Sequence, residues 1–352
     1  MDTAEKIKLV TREPTEEVVT LEELVHLFNT NASPKHYIGL EISGFLHLGS
    51  LILTGFKIND FIKAGAKCTV FLADWHTYIN NKLSGDWEKI RMVSKYYADA
   101  FKLFCPGVEI IEGSQLYESR EGYWMDLVKF SKNMSLERTM RSLTIMGRSA
   151  EKDKIDLGQL FYPPMQAVDI HTMDLDIVHA GMDQRKIHML VREIFPKMKW
   201  KVPVAVHHHI LAGLGEPESG SDSDSEFITS KMSKSKSSSG IFIHDSDQEI
   251  DSKFKKAWCP EGVIDKNPIL EISKYVVFHE FNEVIVERPE KFGGNVVYTS
   301  YQQMENDFAQ KKLHPSDLKS TVSKYVADII RPIREKIVLT KDLSEAIQNT
   351  RV

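Results

Sequence analysis

Short apolar runs alternate with helical patterns over the first two-thirds of the chain. Five of these runs are rich in β-branched residues and are bounded by glycine, proline or charged residues, which is typical of buried strands. They are the segments 35–41 (KHYIGLE), 66–74 (AKCTVFLAD), 107–113 (GVEIIEG), 175–181 (LDIVHAG) and 201–210 (KVPVAVHHHI). Apolar residues at helical spacing predict a helix from Leu48 to Lys63 that ends before Gly65. This alternation predicts an α/β fold with a doubly wound, Rossmann-type parallel sheet.

Two segments depart from the alternation. Residues 114–156 form a long helical pattern, which we interpret as an insertion between two halves of the sheet, 31–113 and 157–240. Residues 215–226 (GEPESGSDSDSE) carry five acidic residues and four serines among twelve, which predicts a solvated loop. Residues 1–30 are left as an N-terminal extension, and 241–352 form a mostly helical C-terminal part.

Composition narrows the class of protein. The chain has 352 residues, of which 42% are hydrophobic and 27% charged, so a disordered or fibrous protein is excluded. Three distant cysteines offer neither a disulfide framework nor a CxxC zinc site. No apolar run reaches the roughly 18 residues that cross a bilayer, and the N-terminus lacks a signal-peptide core. We therefore expect a cytoplasmic protein without a membrane partner.

The charge is unevenly distributed. The net charge of −5 excludes a histone-like DNA-binding protein. Within 311–341, however, eight Lys or Arg residues stand against three acids. Such a basic segment indicates a polyanionic partner, or alternatively a solvated helix face.

Residues 41–50 (EISGFLHLGS) join a predicted strand to a predicted helix. Gly44 and Gly49 suit a sharp turn or a close approach to a flat ligand. His47 lies at the start of the helix, where free N–H groups favour a phosphate. Taken alone, the motif is better explained as a tight turn that carries a surface histidine.

The second motif is KMSKS, Lys231 to Ser235. Two ammonium groups three residues apart, with small hydroxyl residues around them, can neutralise a leaving pyrophosphate. Taken alone, this segment is better explained as a basic, serine-rich loop or a phosphorylation site.

Together, and in this order, the two motifs resemble the HIGH and KMSKS signatures of class I aminoacyl-tRNA synthetases. Ser50 stands where that signature usually ends in histidine. From about Tyr37 onwards the chain resembles tyrosyl-tRNA synthetases of the archaeal and eukaryotic cytosolic type. The matching segments are HYIGLE, LADWHTYIN, YPPMQAVDI, AGMDQRKIHM, WCPEG, KFGG and LHPSDLK.

The resemblance implies a homodimeric enzyme that activates L-tyrosine with ATP, with Mg²⁺ bound through the ATP phosphates, and transfers the tyrosyl group to tRNA(Tyr). The implied catalytic residues are His47, Lys231 and Lys234. The implied tyrosine-binding residues are Tyr37, His76, Tyr162, Gln166, Asp169 and Gln184, with Tyr123 as a further candidate. The implied ATP-binding residues are Gly44, His47, Gly49, Gly181, Asp183, Lys231, Met232, Ser233 and Lys234.

For tRNA, the resemblance assigns Arg185 and Lys186 to the first base pair of the acceptor stem. It assigns Phe292, His314 and Asp317 to the anticodon, although without it Phe292 would be interpreted as a core aromatic. The C-terminal part, 241–352, would then be the anticodon-recognition domain. The insertion would form the dimer interface through apolar residues, which are Met125, Leu127, Val128, Phe130, Met134 and Leu136.

The resemblance implies that Asp169 and Tyr37 bind the phenol of the substrate, and the chemistry of these groups agrees. Tyr162, Gln166 and Asp169 share one face of a helix at their spacing. Phenylalanine would leave Asp169 and Tyr37 unpaired, whereas tyrosine satisfies both. The main alternative is a tryptophanyl-tRNA synthetase. An indole N–H can only donate, however, so it could not accept a hydrogen bond from the Tyr37 hydroxyl.

Two further hypotheses come from other classes. A non-catalytic tRNA-binding relative would not need both ATP motifs, and another nucleotidyltransferase would lack the KFGG and LHPSD segments. The run His207-His208-His209 suggests a metal site, but strand alternation without a third nearby ligand favours a structural interpretation and no metal.

Overall fold

The computed structural model describes residues 1–148, 154–217, 232 and 240–348. The chain divides into two compact units. The first comprises Met1–Gly44, Lys57–His209 and Thr340–Val352, and the second comprises Phe45–Phe56 and Ile210–Leu339. These units are divided differently from the segments predicted above: residues 1–30 belong to the unit that contains the sheet, and the described residues among 210–240 belong to the second unit. As functional domains, the predicted segments stay predictions.

A six-stranded sheet forms the centre of the first unit, in the order β1-β6-β5-β2-β3-β4. Its strands are β1 Thr15–Val19, β2 Lys35–Leu40, β3 Lys67–Leu72, β4 Glu109–Glu112, β5 Ile177–Gly181 and β6 Val204–His208. Strands β2 to β6 are parallel and lie within the five predicted segments, which confirms the α/β fold class.

The sequence did not predict β1, which pairs antiparallel with β6. The strand therefore makes the sheet mixed rather than purely parallel. Its sequence TEEVV is mostly half-buried and carries two carboxylates, so it lacks the apolar run by which the other strands were recognised.

The chain reverses its direction across the sheet at β2. It proceeds outward through β3 and β4, then returns to β5 on the other side of β2. In open α/β sheets, ligands bind at the carboxyl ends of the strands on either side of such a reversal. Within the first unit, the segments that follow β2 and β5 are 41–44 and 182–185, which contain the predicted residues Gly44, Asp183, Gln184 and Arg185.

The helices of the first unit cover the sheet and make up the insertion. They are α1 Thr3–Thr11, α2 Leu21–Thr30, α4 Asp74–Ile79, α5 Trp87–Phe104, α6 Gly113–Ser119, α7 Tyr123–Ser131, α8 Leu136–Ser142, α9 Tyr162–Thr172, α10 Arg185–Met198 and α16 Lys341–Gln348. The core under the insertion contains Tyr37, Phe71, Tyr123, Leu127 and Phe130. The opposite side of α7 is apolar and exposed at Met125 (63%) and Val128 (62%).

The helix predicted from Leu48 to Lys63 has two parts. A π-helical turn at Leu48–Leu53 continues into α3, Thr54–Lys63. Gly65 has a φ of +92° and its N–H donates to the carbonyl of Ile62 at 2.9 Å, which confirms the predicted glycine stop.

The second unit is mostly helical, as predicted. Its elements are α11 Asp247–Lys256, α12 Pro268–Ile272, a π turn Ser273–Val277, α13 Phe278–Glu280, α14 Tyr301–Ala309, α15 Pro315–Arg334 and a hairpin of β7 Val284–Val286 with β8 Val296–Tyr298. Part of the basic segment is already paired, since Arg331 and Arg334 both bind Asp247 at 2.8 Å. No helix among the described residues is long and apolar enough to span a membrane.

Candidate active site

The carboxylate of Asp169 lies at the centre of a buried cluster in the first unit. Asp169 lies on helix α9 and has no solvent exposure. The Tyr123 hydroxyl donates to Asp169 Oδ1 at 2.7 Å, whereas Oδ2 is buried without a hydrogen-bond partner among the described residues. Burial raises the pKa of Asp169 to about 8, although the hydrogen bond from Tyr123 opposes this.

Two more phenols lie close to this carboxylate. Tyr117 stacks on Tyr123 with ring centroids 4.1 Å apart, and its buried hydroxyl has no partner in the described structure. Tyr37 is 2% exposed. Burial, and then the charge of Asp169, raises the pKa of both Tyr37 and Tyr117 above its ordinary value. Tyr123 donates the 2.7 Å hydrogen bond to Asp169, and the charge of Asp169 acts on the Tyr37 and Tyr117 hydroxyls.

His76 completes the buried cluster. Its Nε2 lies 3.6 Å from Asp169 Oδ2, and neither ring nitrogen has a hydrogen-bond partner in the described part of the chain. Burial lowers the pKa of His76 to about 3, so the ring is neutral. Its ring meets that of Tyr162 edge to face, with centroids 4.6 Å apart. Unsatisfied polar atoms are costly inside a protein, so their concentration here fits a site for a polar ligand.

A chain of amides runs along the same face of α9. Gln166 Nε2 donates to Gln184 Oε1 at 3.2 Å, and Gln184 Nε2 donates to the carbonyl of Ile145 at 2.8 Å. Since the amide groups point in one direction, Gln166 presents its carbonyl oxygen. The structure therefore brings together all six residues predicted to bind tyrosine, although they come from β2, α4, α9 and the turn after β5.

A second buried carboxylate, Asp74, adjoins this cluster. It accepts from the backbone N–H groups of Trp75 at 2.8 Å and Ser114 at 3.0 Å. Its charge contributes to the raised pKa of Asp169. A methyl group on Gly113 would approach Asp74 Oδ1 to 2.7 Å, so this position admits only glycine without a local shift.

The segment 45–50 belongs to the second unit and is built around His47. His47 Nδ1 accepts from the N–H of Gly49 at 3.2 Å, and the Ser50 hydroxyl accepts from the N–H of His47 at 2.9 Å. Because Nδ1 is an acceptor, the neutral ring carries its proton on Nε2 and can donate it to an anion. Ser50 thus closes a capping box at the start of the π turn.

The residues after KMSKS pair with this segment. Leu48 N–H donates to the carbonyl of Ile241 at 2.8 Å, and Ile243 N–H donates to that of Leu46 at 3.1 Å. Met232 is buried and its N–H donates to the carbonyl of Leu211 at 2.9 Å. Lys231, Ser233 and Lys234 lie outside the described residues. Residues 241–243, which follow KMSKS in the sequence, therefore lie beside the first motif within the second unit.

The remaining predicted ATP residues lie in the first unit. Gly44 has a φ of +127°, in the region that favours glycine, and its carbonyl accepts from the Tyr97 hydroxyl at 3.0 Å. Gly181 ends β5, and Asp183 follows in a short 3₁₀ turn.

The predicted tRNA residues lie at the surface of their units. Arg185 and Lys186 begin α10, where Arg185 binds Glu17. In the second unit, Phe292 ends a 3₁₀ turn and is 63% exposed, which excludes the interpretation as a core aromatic. His314 caps α15 by accepting from the Ser316 N–H at 3.1 Å, and Asp317 lies in the first turn of that helix.

The three consecutive histidines have protein partners. His207 Nε2 lies 3.0 Å from His188 Nδ1, and His208 Nδ1 lies 2.8 Å from His179 Nε2. His209 contacts Glu16. Across the described ranges, no group of three or more His, Cys, Asp or Glu side chains could hold a metal ion.

Comparison with known proteins decides the family. The family model described as tRNA synthetases class I (W and Y) matches residues 29–330. The chain belongs to this family. The tyrosine–tRNA ligases of Thermococcus sibiricus and Pyrococcus furiosus are each 44% identical to the chain, over all of both sequences. The family resemblance expected from the sequence is thereby confirmed.

Solved structures of the class I family support the same fold. The tyrosyl-tRNA synthetase from Pyrococcus horikoshii, complexed with L-tyrosine, is 44% identical with a TM-score of 0.92, covering 99% of this chain and 100% of that one. The tryptophanyl-tRNA synthetase of Plasmodium falciparum is 17% identical with a TM-score of 0.68, covering 98% of this chain and 90% of that one, a likeness of fold alone.

Proposed function

We propose that this chain activates L-tyrosine with ATP, forming tyrosyl-adenylate and pyrophosphate, and then transfers the tyrosyl group to tRNA(Tyr) with release of AMP. Family membership and full-length similarity to archaeal tyrosine–tRNA ligases support this function. The observation that carries the choice of amino acid is the buried Asp169, with one oxygen bound by Tyr123 and the other without a partner.

The phenol of tyrosine fits this carboxylate as a hydrogen-bond donor. It would donate to Asp169 Oδ2 and accept from the hydroxyl of Tyr37. Phenylalanine would fill the same volume but leave both groups without a partner in a buried site, which costs free energy. An indole N–H could donate to Asp169 but could not accept from Tyr37. These contacts favour tyrosine over tryptophan.

The amino end of the substrate would be held by Gln166, Tyr162 and Gln184. An ammonium group has three N–H donors and no acceptor, so it requires oxygens. The carbonyl of Gln166 is oriented as an acceptor because its own N–H is bound to Gln184. The Tyr162 hydroxyl supplies a second acceptor.

Activation needs no protein nucleophile. The tyrosine carboxylate attacks the α-phosphorus of ATP, a bond forms between carboxylate oxygen and phosphorus, and the bond to pyrophosphate breaks. Catalysis then depends on orientation and on stabilising charge in the transition state. We assign the phosphates to His47 Nε2–H and to Lys231 and Lys234, with Mg²⁺ arriving on the ATP. The nucleotide would approach the backbone at Gly44, Gly49 and Gly181. Asp183 would accept a hydrogen bond from a ribose hydroxyl. The rest of the KMSKS loop would be formed by Met232 and Ser233.

In the second step a terminal adenosine hydroxyl of the tRNA attacks the mixed anhydride. We assign the first acceptor-stem pair to Arg185 and Lys186. The exposed Phe292 ring suits stacking on an anticodon base, with His314 and Asp317 as polar contacts. Six of the eight basic residues of 311–341 lie within 4 Å of a carboxylate oxygen, so their contacts with phosphates would replace exposed ion pairs, which contribute little to stability.

We propose that the enzyme acts as a homodimer in the cytoplasm. The exposed apolar side of α7, with Leu136 of α8 at 66% exposure, offers the surface for a second copy. The three cysteines are buried and form no disulfide among the described residues, which fits a reducing compartment.

The test is ATP–pyrophosphate exchange measured separately with tyrosine, tryptophan and phenylalanine, followed by charging of tRNA(Tyr). We expect exchange with tyrosine, and a fall of about 100-fold in kcat for His47→Ala, the usual effect of removing one group that stabilises transition-state charge. Lys234→Ala should fall comparably. Exchange with tryptophan instead would support the alternative ligase, and tRNA binding without any exchange would support a non-catalytic protein.

A further inference from the structure

The N-terminal extension contributes a carboxylate to the start of α10. Glu17 of β1 accepts from Arg185 Nε at 2.8 Å and from Arg185 Nη2 at 2.9 Å. Both of its oxygens are engaged by one edge of the guanidinium, which is the geometry that best fixes the plane of that group. Arg185 Nη1 makes no hydrogen bond among the described residues, and the Arg185 side chain is 44% exposed.

Glu17 also contacts a buried histidine of β6. It lies opposite His207 in the β1–β6 pairing, and His207 Nδ1 lies 2.8 Å from Glu17 Oε2. His207 is buried and its other nitrogen contacts His188 Nδ1 at 3.0 Å. Since the carboxylate can only accept, His207 carries its proton on Nδ1, and His188 donates to His207 Nε2. Burial lowers the pKa of both histidines, so this neutral arrangement persists at physiological pH.

An arginine that is bound along one edge can present its other edge to a ligand. The Nε–Nη2 edge of Arg185 is occupied by Glu17, which leaves the two N–H donors of Nη1 directed away from the protein partner. Arginine commonly recognises a base through such donors, and an unrestrained guanidinium would lose side-chain entropy on binding.

We propose that Glu17 is a positioning residue for tRNA charging: it fixes the guanidinium of Arg185 so that Nη1 reads the first base pair of the acceptor stem. This inference rests on the function proposed above, and it gives the N-terminal extension a part in substrate selection. Glu17 does not touch the reacting atoms, so it should leave tyrosine activation unaffected.

A matched control lies in the same two segments. Glu23 accepts from Arg192 Nη2 at 2.9 Å, and so forms a second ion pair between the N-terminal extension and α10. Arg192 is two turns further along the helix and has no assigned tRNA contact. If Glu17 served only to fasten the extension to α10, Glu23→Gln should have the same consequences as Glu17→Gln.

The experiment compares wild type, Glu17→Gln and Glu23→Gln in tyrosine-dependent pyrophosphate exchange and in charging of tRNA(Tyr) transcripts with the native or a reversed first base pair. For Glu17→Gln we expect unchanged exchange and a roughly tenfold rise in KM for native tRNA, equivalent to one oriented charged hydrogen bond. We also expect a smaller preference for the native pair. Glu23→Gln should behave as wild type in all three measurements.

A double variant separates positioning from general destabilisation. If Glu17 acts through Arg185, adding Glu17→Gln to Arg185→Ala should not raise KM for tRNA any further. The inference is overturned if Glu17→Gln keeps the wild-type KM and base-pair preference, if Glu23→Gln shares its defect, or if the double variant is additive. Absence of tyrosine-dependent exchange in the wild type would instead overturn the proposed function.

Discussion

The substitution Asp169→Asn tests the tyrosine pocket most directly. Asparagine has the same size, and its carbonyl can still accept from the Tyr123 hydroxyl, but it cannot ionise. Burial raises the pKa of Asp169 to about 8 in the folded protein. At neutral pH the phenol of tyrosine therefore meets a carboxyl group that is only partly ionised.

The pKa sets the size of the effect. A carboxyl group with a pKa of about 8 is ionised to about 1% at pH 6 and about 50% at pH 8. If the phenol donates to the ionised form, kcat/KM for tyrosine should rise about 50-fold between these pH values in the wild type. Asp169→Asn should abolish this rise. It should also lower kcat/KM at pH 8 by about 10- to 150-fold, equivalent to a charged hydrogen bond of about 1.5–3 kcal/mol.

The free energy of unfolding should change with pH in the direction opposite to kcat/KM. The pKa of Asp169 is about 8 when folded but about 3.9 in an unfolded chain. Between these pH values the unfolded chain loses a proton that the folded protein keeps, so the free energy of unfolding falls as pH rises from about 4 to about 8. Asp169→Asn lacks this dependence. The variant should unfold at a higher temperature than the wild type at pH 8, and the difference should shrink towards pH 4.

The assay is tyrosine-dependent pyrophosphate exchange at saturating ATP from pH 6 to pH 8, with thermal unfolding of the unliganded proteins at the same pH values. Asp126→Asn is the matched control, since Asp126 is a partly exposed carboxylate on the neighbouring helix α7. It should keep the wild-type pH profile. A flat wild-type profile, or an Asp169→Asn variant less stable than wild type at pH 8, would refute the reasoning.

Three further predictions concern other parts of the chain. A methyl group at Gly39 would lie 2.6 Å from the Tyr37 hydroxyl and would displace it. Gly39→Ala should therefore raise KM for tyrosine about fivefold, the loss of roughly one hydrogen bond; an unchanged KM in exchange assays would contradict this. Lys57 is fully buried and donates to Asp60 at 3.1 Å and to three backbone carbonyls. Lys57→Met should therefore lower the free energy of unfolding, measured in urea, by about 3–5 kcal/mol. A loss under about 1 kcal/mol would show that the Asp60 carboxylate is stable without the Lys57 ammonium group. Val128→Asp places a charge on the exposed side of α7 and should convert a dimer into a folded monomer in analytical ultracentrifugation; a dimer that persists would place the interface elsewhere.

Much of the fold follows from local patterns. Four of the five parallel strands were predictable because a strand buried on both sides needs a continuous apolar run, whereas β4, at the sheet edge and mostly half-buried, was marked by its β-branched residues and bounding glycines. The stop at Gly65 was predictable because few other residues adopt its positive φ. The common face of Tyr162, Gln166 and Asp169 follows from helical periodicity alone. The two ATP motifs were recognisable because each is a short contiguous segment.

Other features depend on residues that are distant in the sequence. Tyr123, a candidate only through the family resemblance, is the direct partner of Asp169, and Tyr117, which was not predicted, stacks beside it; no local pattern distinguishes either phenol from a core aromatic. Ser50 departs from the family signature, and only the structure shows that its hydroxyl caps the π turn.

Periodicity, turn chemistry and short motifs act over a few positions, so they identify which residues can carry the chemistry and which local element each occupies. Which of these residues meet depends on long-range packing. Strand β1 and its contact between Glu17 and His207 join residues 190 positions apart. Such a pairing depends on the packing of the whole sheet, because an edge strand with polar side chains gains its stability from the partner strand rather than from its own pattern.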